Sequence, residues 1–277
     1  MNSQRAALLQ LLGDDDPETL ALIRQQLLKG GAGALPELRA LLAAADEAAA
    51  AHVQEVVYEI ERQQADVVFG QLCRDFTDQS DLEDAAWRLA ATFLPSDGFD
   101  YAHDLLDAWG AEVARRLGKA TSDQDRIETL VEYLGHELRF RGNHEDYYNI
   151  TNSLLPEVIE TRRGIPITLS LVYMLVGRRA GLEVHGVGLP GHFLVRYQNE
   201  FFDPFHDGRR VGLEECSELV ERHGQSLTAS HFRPLPPRPM LLRMLNNLYC
   251  LAAPSDPPLA GKIAGWMESL GGTRAAD

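Results

Sequence analysis

With 277 residues, 45% of them hydrophobic, the chain can bury an ordinary core in one large domain or two small ones, which excludes disorder as the starting expectation. Acidic residues number 41 against 26 basic ones, for a formal net charge of -15. A surface that negative repels phosphate backbones and anionic lipids, so direct nucleic-acid binding and membrane adhesion are excluded and a basic protein partner is expected.

The charge is uneven: positions 1 to 120 hold 21 acidic and 10 basic residues, and positions 121 to 277 hold 20 and 16. The opening MNSQRAALLQLLGDDD has too short an apolar run for a leader, and later apolar runs are broken before membrane-spanning length. A cytoplasmic protein is the expectation. Cys73, Cys216 and Cys250 are far apart and lack the CxxC or CxxH pairing of a zinc site, so they read as reduced structural thiols.

In chain order, helical spacing begins with Leu20, Ile23 and Leu27, then Leu35, Leu38 and Leu42, then Val53, Val56, Val57 and Ile60. Pro17, Pro36 and the glycines at 30, 31 and 33 supply start and stop signals, which predicts short paired helices. That spacing gives positions 14 to 76 a HEAT-like reading beside that of an irregular helical cap. Further helices run through Leu82, Ala86, Leu89 and Phe93, through Leu106, Trp109, Val113 and Leu117, and through Ile127, Leu130, Leu134 and Leu138.

The pattern changes after Gly164. The stretch IPITLSLVYMLV, from Ile165 to Val176, is apolar almost all round and predicts a helix buried on every side. Pro166 suits its first turn, Gly181 its stop, and Arg178 and Arg179 its negative end. Strands are predicted over Glu183–Leu189, His192–Tyr197 and Phe201–Phe205, with Gln198, Asn199 and Glu200 as the second turn and Pro190-Gly191 directly before His192. Beyond Gly212 a helix covers Leu213–His223, a proline-rich connection covers Pro234–Pro239, and helices cover Met240–Leu251 and the tail to Leu270.

The chemistry suited to this layout is acyl transfer. A nucleophile at a helix N-terminus gains from the helix dipole, a histidine takes its proton, and a carboxylate orients the histidine. His192 and Asp203 supply the last two. Each also has a plain role: His192 as a ring locking the sheet corner to backbone, and Asp203 as the cap of a turn before Pro204.

RRGIPITLSLVYMLVGRRAGLEVHGVGLPGHFLVR followed by FFDPF strongly resembles the bacterial SirB-type transglutaminase-like proteins, over about residues 149 to 219. The resemblance implies an α+β fold: a papain-like core of a buried helix on a small antiparallel sheet, after an all-helical region and before short helices. It implies a regulator with transglutaminase-like and tetratricopeptide (TPR) regions and no known reaction. By position, His192 and Asp203 match the core histidine and aspartate, and Gly164 matches the glycine opening the central helix.

The nucleophile does not carry over. Counting back from Gly181, the cysteine of an active transglutaminase falls at or beside Pro166, and Ile165, Ile167 and Thr168 are not thiols. Cys216, in LEECSELV, reads as an ordinary helix face. Thr168 and Ser170 are the local hydroxyls, and such hydroxyls in apolar helices usually bond back to a carbonyl one turn earlier.

His192, Asp203, His206 and Asp207 cluster in sequence, but without the short spacings of zinc motifs no metal and no cofactor are assigned. Arg162 and Arg163 read as solvated structural arginines, with reception of an anion as the alternative. Residues 144 to 149, HEDYYN, precede the central helix on the cleft side in the family.

The expected division is an acidic all-helical region over 1–118, a transglutaminase-like core over 119–232, and C-terminal helices over 233–277. In the last, LLRMLNNLY resembles the start of the family's TPR region, truncated here to about one helical pair. The leading expectation is a noncatalytic binding or regulatory protein, a pseudoenzyme with a protein partner. The alternative is an acyltransferase or amide/ester hydrolase using Thr168 with His192 and Asp203.

Overall fold

The structure, a computed structural model, describes residue 12 and residues 16 to 271. The opening stretch read against a leader falls largely outside the described residues. Two compact units are present: residues 1–69 with 91–96, and residues 70–90 with 97–277.

In the first unit, α1 (Pro17–Lys29) starts where the Asp16 carboxylate accepts the Thr19 N–H at 3.0 Å, and Pro17 occupies its first turn, where an N–H has no helical partner. It is followed by α2 (Leu35–Leu42) and α3 (Glu47–Asp75), whose residues from 70 onward fall in the second unit. Leu38, Leu41, Val53, Val56, Val57 and Ile60 are buried together, with Leu20, Ile23 and Leu27 packed against them. The expectation of uniformly short helices is corrected here. α3 runs for 29 residues, because no glycine or proline interrupts it before Gly70, and one Glu59–Arg62 pair lies along its polar face.

The second unit has the α+β fold. Helices α4 (Leu82–Ala91), α5 (Phe99–Leu117) and α6 (Asp123–Val131) lead into a π-helical turn over Glu132–Glu137. Ser122 and Asp125 form a reciprocal capping box at the start of α6. Two short parallel strands, β1 (Arg141–Gly142) and β2 (Arg163–Gly164), bracket α7 (Leu155–Thr161). Arg162 leaves α7 in the left-handed region, with φ of 60°, and sends the chain into β2.

The central helix α8 (Pro166–Arg179) is buried from Pro166 through Tyr173, as its all-round apolar pattern predicts. Each aliphatic side chain enclosed there stabilises the fold by about 1.5–3 kcal/mol. At its far end Arg178 and Arg179 pair with Glu83, and Arg179 also with Asp107 at 2.6 Å. These cations complement the negative helix end.

The antiparallel sheet has the order β3 (Val184–Leu189), β4 (His192–Tyr197), β5 (Glu200–Asp203) and β6 (Arg209–Val211). Three strands were expected; β6 is the addition, and Phe201 pairs with Val211 and Asp203 with Arg209. The second turn is shorter than expected, since Glu200 already pairs with Tyr197. The third predicted strand ends early, because Pro204 opens a 3-10 turn over Pro204–His206. Val187, Leu189, Leu194, Phe201 and Val211 cluster with Cys216 and Val220 of helix α9 (Leu213–Glu221). Helices α10 (Pro237–Ala252) and α11 (Pro257–Ser269) follow. Part of the expected proline connection is helical: Pro237 and Pro239 sit in the first turn of α10, where proline is tolerated.

Candidate active site

Pro190 and Gly191 make the two-residue turn between β3 and β4, where Leu189 pairs with His192. Gly191 has φ of 67°, which a side chain strains to adopt, and an added Cβ there would overlap the His223 ring. From α10, the Arg243 guanidinium donates to the carbonyls of Leu189 and His192, each at 2.6 Å. Both ends of the turn are thereby held by one cation, which also lies 5.4 Å over the Phe193 ring.

His192 Nε2 lies 2.8 Å from Asp203 Oδ2. The sequence-predicted pair is therefore formed, between neighbouring strands. Asp203 is 1% exposed, and its other oxygen, Oδ1, accepts the Phe205 N–H at 3.0 Å, which fixes the carboxylate in the turn that Pro204 begins. A second imidazole shares the first oxygen: His206 Nδ1 lies 2.7 Å from Oδ2. Burial pushes the Asp203 carboxyl toward its neutral form, but the bonds and charge of His192 and His206 outweigh that and hold it below the ordinary 3.8. Arg209 stands 3.9 Å from the same oxygen and is itself paired with Glu215.

Two features hold this turn from behind. Asp207 and Gly208 both adopt left-handed backbone, with φ of 57° and 74°, and return the chain into β6. The Asp207 carbonyl passes so close to Gly135, in the π-helical turn, that a Cβ at 135 would overlap it. A π turn in a helix often marks a functional site, and here it brings a bare backbone against the loop that carries Asp203.

Around the pair stands a wall of rings. His144 lies 4.6 Å from Phe205 and 5.7 Å from His206, centroid to centroid, and Tyr147 lies 5.9 Å from Phe205. The HEDYYN segment thus sits beside His206 and Phe205. Asn152 anchors it, donating from Nδ2 to the carbonyls of Asp146 and Tyr147.

The start of α8 is of a different character. Thr168 is 0% exposed and its Oγ1 has no hydrogen-bond partner, so no bond joins it to His192. Ser170 Oγ is buried and unbonded likewise. The back-bond expected of these hydroxyls is absent; for Thr168, the carbonyl one turn earlier, at Gly164, already accepts the Asn143 N–H at 3.1 Å. Cys73 and Cys216 are buried and Cys250 is exposed. Burial pushes the Cys216 thiol up to about 11 and the Cys73 thiol up to about 12, away from nucleophilic thiolate. Arg162, read as solvated, instead lies 4.5 Å over the Trp109 ring and 5.2 Å over Phe140. The correction has a plain cause: the left-handed turn at the end of α7 carries its side chain onto the aromatic face.

Residues 100–246 match the Transglutaminase-like superfamily, a span that runs from α5 through the sheet into α10. The chain belongs to the transglutaminase-like superfamily. Among its relatives, a UPF0162 protein of Xylella fastidiosa is 39% identical over 141 residues, covering 47% of this chain and 50% of the relative. A UPF0162 protein of Pseudomonas aeruginosa is 32% identical over 205 residues, covering 71% of this chain and 74% of the relative. F-box only protein 21 of Mus musculus is 33% identical over 141 residues, covering 46% of this chain and 22% of the relative. The chain spans about half the length of the Xylella relatives it matches. No solved structure matches it.

Arg243 escaped the sequence reading. Its signal was available: a lone cation among Met240, Leu241, Met244 and Leu245, all buried, in α10. Among the described residues no helix is long and apolar enough to cross a membrane.

Proposed function

We propose that this chain is a noncatalytic binding or regulatory protein of the SirB type, which keeps the transglutaminase-like core and uses the His192 side of it to contact a protein ligand. The observation that carries the reading is the start of α8. Where a thiol belongs, the chain has Pro166 between Ile165 and Ile167, and the nearest hydroxyl, Thr168, is fully buried and bonded to nothing. A hydroxyl near neutral pH needs a positioned base to act as a nucleophile. In this reading the acidic helices favour a basic partner in the cytoplasm, and α10 with α11 is a TPR-like helical pair.

The competing reading, an acyltransferase or amide/ester hydrolase with Thr168 as nucleophile, is favoured by one observation: the 2.8 Å contact between His192 and Asp203 is intact. Incubation of the purified chain with panels of amides and esters, beside His192→Ala, separates the two. The expected result is no turnover above background for either protein. Turnover that His192→Ala abolishes would overturn the noncatalytic reading.

A further inference from the structure

A thiol-based framework asks its aspartate to orient one histidine. Here two imidazoles converge on one carboxylate oxygen, Oδ2, from two sides. Among the described residues, His192, Asp203 and His206 form a group whose ligand-type atoms all lie within 4.8 Å of one another. We propose that His192 Nε2, Asp203 Oδ2 and His206 Nδ1 form a binding site for a divalent transition-metal ion of the zinc class.

The donor set selects the ion. Two imidazole nitrogens with one carboxylate oxygen suit zinc and its transition-metal neighbours, whereas calcium and magnesium demand oxygen ligands. Bonds of about 2.0–2.1 Å in a tetrahedron place ligand atoms about 3.3 Å apart. The two contacts to Oδ2, at 2.8 and 2.7 Å, need to open by only about half an ångström to reach that spacing. Asp203 is prepared for a single-oxygen ligand, because Oδ1 is engaged by the Phe205 N–H.

The ion takes one nitrogen lone pair from each ring. In the ion-bound form the ring proton of His192 sits on Nδ1 and that of His206 on Nε2, which leaves a lone pair toward the ion on each. Entry is from the His206 side, whose side chain is 43% exposed against 11% for His192. That side also leaves a fourth position for water or for a donor from a partner. The guanidinium of Arg209 opposes the ion's charge, and its pairing with Glu215 offsets part of this.

The site is tested without an activity assay. The full chain, stripped with a chelator, is titrated with Zn2+ by calorimetry and with Co2+ by visible absorption. The expected result is one ion per chain, released by chelator, with a cobalt ligand-field band and shifts of the His192 and His206 ring resonances. His206→Ala, at a half-exposed position, and Asp203→Asn each weaken binding by about 100-fold or more. His185→Ala, on the exposed side of β3, leaves it unchanged. Absence of stoichiometric Zn2+ binding by the wild-type chain overturns the proposal. So does binding that His206→Ala leaves intact, which marks adventitious surface histidines.

Discussion

The two halves of the transglutaminase-like framework differ in how they are finished. On the sheet, the Asp203–His192 pair is bonded throughout: both carboxylate oxygens of Asp203 are engaged, and the His192 carbonyl is held by Arg243. At the start of α8, Thr168 and Ser170 are sealed in apolar packing with unbonded hydroxyls. An unbonded buried hydroxyl costs about 1–3 kcal/mol, and neither hydroxyl is bonded to a base that could activate it. The difference is the one the noncatalytic proposal rests on: the His192–Asp203 half of the framework is polar and bonded, while the start of α8 is packed as core.

Substitutions break this comparison in order of size. Asp203→Ala strands two imidazoles and the Phe205 N–H at a buried position. Hydrogen bonds to a charged group contribute about 1.5–3 kcal/mol each, so urea denaturation of this variant should show a loss of roughly 3 kcal/mol or more. Gly135→Ala forces a methyl against the Asp207 carbonyl, and overpacking of this kind costs about 1–3 kcal/mol. Its loss should appear in the same assay, together with shifts in the His206 resonances, since the displaced loop carries that ring.

On the other side of the comparison, effects should be small. Thr168→Val removes an unpartnered hydroxyl and keeps the shape, so stability should stay level or rise by about 1 kcal/mol in thermal or urea unfolding. Loss of stability would show that the hydroxyl has a partner in solution. Thiol reactivity is a gentler probe. A disulfide reagent at pH 8 should label Cys250 quickly and Cys73 and Cys216 only on unfolding, because burial raises their thiols well above that pH. Rapid labelling of Cys216 would place a usable thiol beside the sheet.

The sequence made α8, the His192 strand and the Asp203 strand legible because their signals are local. An all-round apolar run, a Pro-Gly turn and an Asp-Pro turn each dictate backbone within a few residues. β6 was not legible: Arg209-Arg210-Val211 has no alternation to speak of, and it becomes a strand only through pairing with β5. The π turn at Glu132–Glu137 keeps helical composition, so its wider hydrogen bonds leave no trace in the pattern. The pairing of His192 with Asp203 was legible from the hairpin. The convergence of His206 follows from the short 3-10 turn that Pro204 opens after Asp203, whereas the grip of Arg243 depends on how distant segments pack.

The most direct measurement is intact-mass analysis of the wild-type chain after incubation with an activated acyl ester, with peptide mapping of α8 and comparison to His192→Ala. The account predicts no His192-dependent acyl adduct on Thr168 or elsewhere in Pro166–Arg179. An adduct on Thr168 that disappears in His192→Ala would contradict it.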